Sequence, residues 1–333
     1  MFSKLRAFRK PTVSEGVDRF AVADGAEEFR DHIYYPMAGK KRKAHGSWYR
    51  GSATNFHPVS ESLREPDAFE KYVGKGWLPH VPFISRNTFI TAFGSCFAAE
   101  VTKYLLDKGY RVFGGNLSLN SHIVRAGDGI VNTAALRQQF EWALDGAVPS
   151  SSTWHDSEGA LLEASEDVQR ETREIILRTD VFVLSVGLAG LWYDKRTGEP
   201  FWREIPLAAF DDSRHGFRIL GAEENRANLA RVHQLIRAHR PDASIILTLS
   251  PIPLAATFRP VSCITANSVS KASLRVALDE LMRDNADDTR LFYFPSYELV
   301  TAVIPNALEH DLRHPTRETI NTVMAAFGRA YLA

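Results

Sequence analysis

Up to about residue 85 the apolar positions recur with no sustained period; from Asn87 onward short apolar runs alternate with stretches of helical spacing. Thr88 to Phe93 is an apolar run stopped by Gly94, the pattern of a buried strand. Phe97, Val101, Tyr104 and Leu105 follow at helical spacing, and Gly109 closes that helix. Tyr110 to Phe113 predicts a second strand, Thr133 to Leu144 a helix, and Asp180 to Val186 a third strand bounded by Gly187. The polar stretch Pro149 to Glu166 reads as an insertion. Leu229, Val232 and Ile236 mark a helix that stops before Pro241. Ser244 to Leu249 and Leu291 to Phe294 are the fourth and fifth strands, with a helix over Ser268 to Met282 between them. Ile320, Val323, Met324, Phe327 and Tyr331 share one face of a final helix.

Strands separated by helices imply a parallel sheet covered on both faces, a three-layer α/β/α domain over residues 86–333. Sites in such sheets lie at the carboxyl ends of the strands. Residues 1–85 are rich in aromatics, His and Pro, as in Tyr34-Tyr35-Pro36 and Trp77-Leu78-Pro79-His80. They predict an irregular extension packed on the main domain, because disordered tails are poor in aromatics.

Composition narrows the class. The 333 residues are 44% hydrophobic, enough for a sizeable core. Forty basic residues balance forty acidic ones, so no global field favours nucleic acid, and little opposes homo-oligomer formation. The run Lys40-Lys41-Arg42-Lys43 reads as a solvated loop, with a polyanion contact as the other reading. Cys96 and Cys263 are the only cysteines, which excludes a disulfide scaffold and a Cys-based zinc site. The histidines form no metal-ligand spacing, and no metal or resident cofactor is expected. The basic start lacks the apolar core of a signal peptide, and no run approaches the roughly 20 apolar residues of a membrane span. A cytoplasmic protein is the expectation.

Ser95 follows the first strand and opens the first helix. A serine there is a favoured N-cap, but it is also well placed as a nucleophile. Gly94 permits a tight turn, and the helix start offers free N–H groups to an oxyanion. Asp311 and His314 sit three apart ahead of the last helix. They read either as a surface loop pair or as an acid that orients a base. His310 is a competing base without an acid at that spacing. Cys96, one step into the helix, reads as a small buried residue rather than a second nucleophile. Ser250 after the fourth strand suits a turn or a pocket wall. Asn267, Ser268, Ser270 and Lys271 suit N-capping better than Ser-Lys catalysis. Trp192 and Tyr193 fit core packing and sugar stacking equally. Cys263 has no special context.

Gly94-Ser95-Cys96-Phe97-Ala98 resembles the word that names the GSCFA family, a branch similar to SGNH hydrolases. The likeness runs in order through Gly129-Ile130-Val131-Asn132-Thr133, Gly187-Leu188, Trp192-Tyr193-Asp194 and Leu249-Ser250-Pro251-Ile252-Pro253-Leu254. It continues in Ala266-Asn267-Ser268, Ser270-Lys271, Tyr293-Phe294-Pro295-Ser296-Tyr297-Glu298 and Asp311-Leu312-Arg313-His314-Pro315. The resemblance implies a flavodoxin-like sandwich and a triad of Ser95, Asp311 and His314. It implies a serine esterase removing a small acyl group such as acetyl from a glycan or polyol. An acyltransferase with coenzyme A as donor, and a non-catalytic glycan- or ligand-binding protein, are the alternatives. SGNH enzymes carry Gly-x-Asn after the third strand, and that Asn binds the oxyanion. This chain has Gly187-Leu188-Ala189-Gly190, and the family pattern has Thr-Glu where Ala189-Gly190 stands. The expected oxyanion donors are therefore backbone N–H of Ser95 or Cys96, with the Asn132 amide beside Gly129 first and Asn116 second among the side chains. Gly187, Trp192, Ser250 and Asn116 are the expected substrate-binding positions.

Overall fold

A computed structural model describes residues 26–29, 32–45, 53–94, 96–113, 132–150, 154–155, 160–162, 165–202 and 205–333. The chain divides into two compact units, residues 1–72 and 73–333.

In the first unit, β1 (Glu27–Phe29), β2 (His32–Met37) and β3 (Lys40–His45) form an antiparallel sheet in that order. Ala38 and Gly39 connect β2 to β3 with φ of 49° and 68°, the paired positive angles of a tight hairpin turn. Ile33 and Met37 are buried at even spacing on β2, and Tyr35 stacks on Phe56 with ring centroids 3.6 Å apart. Little regular structure was expected here, and the basic run was expected in a loop. That run instead forms β3, whose apolar partner positions lie on the neighbouring strand and leave no periodicity of their own. Lysines on an edge strand also discourage pairing with other chains.

The second unit is built on five strands: β4 (Phe89–Gly94), β5 (Arg111–Phe113), β8 (Val181–Val186), β11 (Ser244–Leu249) and β12 (Leu291–Tyr293). All neighbouring pairs are parallel, in the order β12-β11-β8-β4-β5. This is the flavodoxin-like winding, whose order reverses between β4 and β8. The helices are α1 (Cys96–Asp107), α2 (Thr133–Asp145), α3 (Glu166–Arg178), α4 (Ala222–His239), α5 (Cys263–Asp284), the single turn α6 (Ser296–Glu298) and α7 (Arg317–Tyr331). Two short hairpins complete the unit, β6 (Trp154–His155) with β7 (Leu161–Leu162), and β9 (Gly190–Asp194) with β10 (His215–Ile219).

Side chains alternate along each strand, so each face of the sheet has its own core. Phe93, Phe182, Leu184, Ile245, Leu247 and Tyr293 pack with residues of α2, α3, α4 and α5. On the opposite face Phe294 meets Phe327 and Tyr331 of α7 at 5.3 and 6.1 Å. The stretch 73–85 belongs to this unit: Trp77 packs edge-on against Tyr293, and the N–H groups of Phe83 and Ile84 donate to Tyr331 O.

The helix α5 begins at Cys263, with Ser262 as its N-cap residue, five residues before the predicted start. Asn267, Ser270 and Lys271 are therefore not caps. At i, i+3 and i+4 they share one face of the helix interior. Asn267 Oδ1 accepts from Leu254 N at 3.1 Å, and Ser270 Oγ accepts from Ala189 N at 2.9 Å. Lys271 Nζ donates to Gly187 O at 2.9 Å and Ser250 O at 2.8 Å. One helix face thus ties down the loops that leave β8 and β11. Among the described residues no helix is long and apolar enough to cross a membrane.

Candidate active site

Gly94 ends β4 beside β8, where it pairs with Ser185. Its φ is +128°, and a Cβ placed there would lie 2.0 Å from Ser185 O. Only glycine fits this position, on both conformational and steric grounds. The chain then enters α1 at Cys96. The first N–H groups of a helix have no partner within it and sit at the positive end of its dipole.

His314 reaches the same sheet edge from the other end of the chain. The loop that carries it is closed by Glu309 N to His314 O at 2.8 Å and Thr316 N to Ala307 O at 2.9 Å. Leu312, at its tip, has φ of 55°, a conformation rare for a branched apolar residue. That turn aims the N–H groups of Arg313 and His314 at Asp311 Oδ1, at 2.9 and 3.0 Å. Asp311 Oδ2 bonds the His314 ring at Nδ1. Backbone donation from His314 and Arg313, then the ring itself, holds the Asp311 carboxyl well below the usual carboxylate range. An ionised carboxylate only accepts, so Nδ1 carries the proton and Nε2 is left as the basic nitrogen. The pair is thus bonded side chain to side chain, at an exposed turn.

A cavity of about 100 Å³ joins these elements. Its lining includes Cys96, Phe97 and Glu100 of α1, Pro251 and Ile252 after β11, and His314 and Pro315. Val300 and four residues of α7, namely Thr319, Ile320, Val323 and Met324, are the other described residues that line it. A larger hollow, about 710 Å³, lies where the strands begin and is lined by Asp180, Asp242 and Ser244 among others. It is at the wrong edge of the sheet for a site of this winding.

The other expected site residues are distributed as follows. Ser95, Asn116 and Gly129 lie outside the described residues. Cys96 is exposed, not buried as expected, because the first residue of α1 faces the open edge of the sheet. Asn132 is the N-cap of α2, its Oδ1 accepting from Ala135 N at 2.9 Å. Gly187 and Ser250 offer their carbonyls to Lys271. Trp192 packs among Phe210, Phe217 and Phe258 at 5.8, 5.2 and 4.8 Å. None of Asn132, Gly187, Trp192 or Ser250 lines the cavity beside His314. Sequence reasoning missed the apolar wall supplied by α7 and the clamp on α5. The signal for the clamp was an Asn-x-x-Ser-Lys spacing that continues the helical pattern. Burial pushes the Lys271 amine down to about 7. Among the described residues no group of three or more His, Cys, Asp or Glu could hold a metal ion.

The model of the GSCFA family matches residues 89–327. The chain belongs to the GSCFA family. No curated protein matches its sequence. Among solved structures, this GSCFA protein is similar to a carbohydrate esterase family 3 protein from Talaromyces cellulolyticus, at 10% identity and a TM-score of 0.36, over 72% of this chain and 94% of that one. It is similar to a mutant acetyl-xylooligosaccharide esterase from Geobacillus Stearmophilus, at 15% identity and 0.37, over 74% and 95%. A lipase from a goat rumen metagenome matches at 12% and 0.37, over 73% and 97%.

Proposed function

We propose that this GSCFA protein is a serine esterase in which Ser95 attacks the ester carbonyl. The observation that carries the reading is the shared cavity: His314, bonded to Asp311, lines it together with Cys96, the residue next to Ser95 in sequence. In the first step the Ser95 oxygen bonds to the carbonyl carbon and its proton passes to His314 Nε2. The oxyanion takes donors from the start of α1, Cys96 N–H first among them. Collapse breaks the bond to the alcohol, which leaves with the proton from His314, and the acyl group stays on Ser95. Water repeats the sequence and frees the acid; a sugar hydroxyl in place of water makes the same chemistry a transfer. The alcohol half of the ester is read as a sugar or other polyol.

The test is labelling with a fluorophosphonate, read by mass spectrometry, beside hydrolysis of p-nitrophenyl esters. Modification confined to Ser95, and loss of turnover in Ser95→Ala and His314→Ala, are expected. Turnover that survives Ser95→Ala refutes the reading. Tight binding of coenzyme A with slow hydrolysis favours the transferase. Folded protein that binds a glycan without labelling or turnover favours a binding protein.

The exposure of Cys96 in this cavity supports a second reading, a cysteine nucleophile. Iodoacetamide that abolishes turnover, together with an inactive Cys96→Ala and an active Ser95→Ala, would select it.

A further inference from the structure

The cavity beside His314 is chemically one-sided. Phe97, Val300, Val323 and Met324, all buried, line it together with half-buried Ile320. Among the described lining residues three side chains are polar besides Cys96, and each has a partner, with Nε2 of His314 kept for the reacting hydroxyl in the proposed mechanism. Glu100 faces Arg317 Nη1 at 3.5 Å, Thr319 Oγ1 accepts from Thr316 Oγ1 at 2.9 Å, and His314 Nδ1 is bonded to Asp311. A sugar hydroxyl set among the described apolar side chains, away from His314, would leave water for no better partner, and its binding would suffer. The alcohol half of a substrate therefore belongs outside, on the side where the His314 side chain is 54% exposed.

We propose that the cavity receives the acyl chain, and that the protein selects apolar acyl groups of about four to eight carbons over acetyl. The inference rests on the esterase reading above. One water-sized group needs roughly 10–15 Å³ of such space, so the cavity's 100 Å³ takes several. The methyl of an acetyl group would occupy one such place and leave the rest of an apolar hole unfilled. Each methylene that leaves water for this wall gains hydrophobic free energy, which raises kcat/KM roughly fourfold.

The experiment measures kcat/KM of the full chain on p-nitrophenyl acetate, butyrate, hexanoate, octanoate and dodecanoate. A rise of roughly fourfold per methylene, a maximum between butyrate and octanoate, and a fall at dodecanoate are expected. Val323→Phe should fill the cavity and lower the hexanoate-to-acetate ratio at least tenfold. Val323 is buried, so Ile320→Phe, at a half-buried position, makes the same measurement if the first variant fails to fold. Activity greatest on acetate, with a ratio unmoved by the folded variant, overturns the proposal and leaves the esterase reading intact. No turnover of any ester, with Ser95 unlabelled, removes the esterase reading itself and this inference with it.

Discussion

Replacing Lys271 with Met tests the electrostatics of the site's foundation. The Lys271 side chain is 2% exposed, its Nζ contacts two carbonyl oxygens and no carboxylate, and burial lowers its pKa from 10.5 to about 7. A difference of that size corresponds to about 5 kcal/mol. The folded pKa lies below the unfolded one, so the sign follows directly. Below pH 7 both states are charged and the folded state bears the whole cost of burying the ammonium. Between about pH 7 and 10.5 the unfolded chain holds a proton that the folded chain lacks, and stability climbs with pH by about 1.4 kcal/mol per unit. Above that window it levels off. Methionine has no such proton, but it leaves Gly187 O and Ser250 O without their donor, at a cost of about 1–3 kcal/mol each that varies little with pH. The stability of wild type relative to Lys271→Met should therefore rise by about 2 kcal/mol between pH 7.5 and 9. Urea unfolding of both proteins across this range reads the difference from the midpoints and slopes. Parallel pH profiles, agreeing within about 0.5 kcal/mol, would show that the amine titrates as it does in water and would refute the reasoning.

Other positions give separate tests. Asp311→Asn should lower kcat about 10³- to 10⁴-fold with KM little changed, since the amide no longer dictates the His314 tautomer; the Asp311 side chain is 45% exposed, so calorimetry should find the melting temperature nearly unmoved. Asn132→Ala should lose about 1 kcal/mol of stability in urea and Asn132→Ser should recover it, while turnover per folded molecule follows neither; a rate loss of about 100-fold in stable protein would instead assign its amide to the oxyanion. Gly94→Ala should cost about 4 kcal/mol or more and leave little soluble protein, because its Cβ would collide with Ser185 O at 2.0 Å; a normally folded variant would contradict the close approach of β4 to β8.

The order of strands and helices after Asn87 was legible because a doubly covered parallel sheet writes each buried strand as a continuous apolar run. Gly94 and the Asp311–His314 pair were legible by chain order, since one follows the first strand and the other precedes the last helix. The start of α5 was not, because Asn267 and Ser268 imitate a cap when the residues they bond, such as Leu254, are unknown. The helix α3 escaped notice because Thr172, Ile175 and Ile176 are its only buried residues, a stripe too narrow to stand out against its charges. The hairpin β9–β10 joins segments more than twenty residues apart, so no local turn signal announces it. The cavity wall was invisible for a different reason. Ile320, Val323 and Met324 look like any amphipathic face, and only packing shows that all three border a hole beside α1.

The face of α5 that holds the sheet edge reads main-chain atoms only: the carbonyls of Gly187 and Ser250 and the N–H groups of Ala189 and Leu254. Every residue type except proline, at the two N–H positions, supplies the same atoms. The hold of α5 on the loops after β8 and β11 is therefore indifferent to their side chains, which are limited instead by packing, as at Ala189 and Ser250, both buried. The position of these loop backbones thus rests on Asn267, Ser270 and Lys271 rather than on the loops' own side chains.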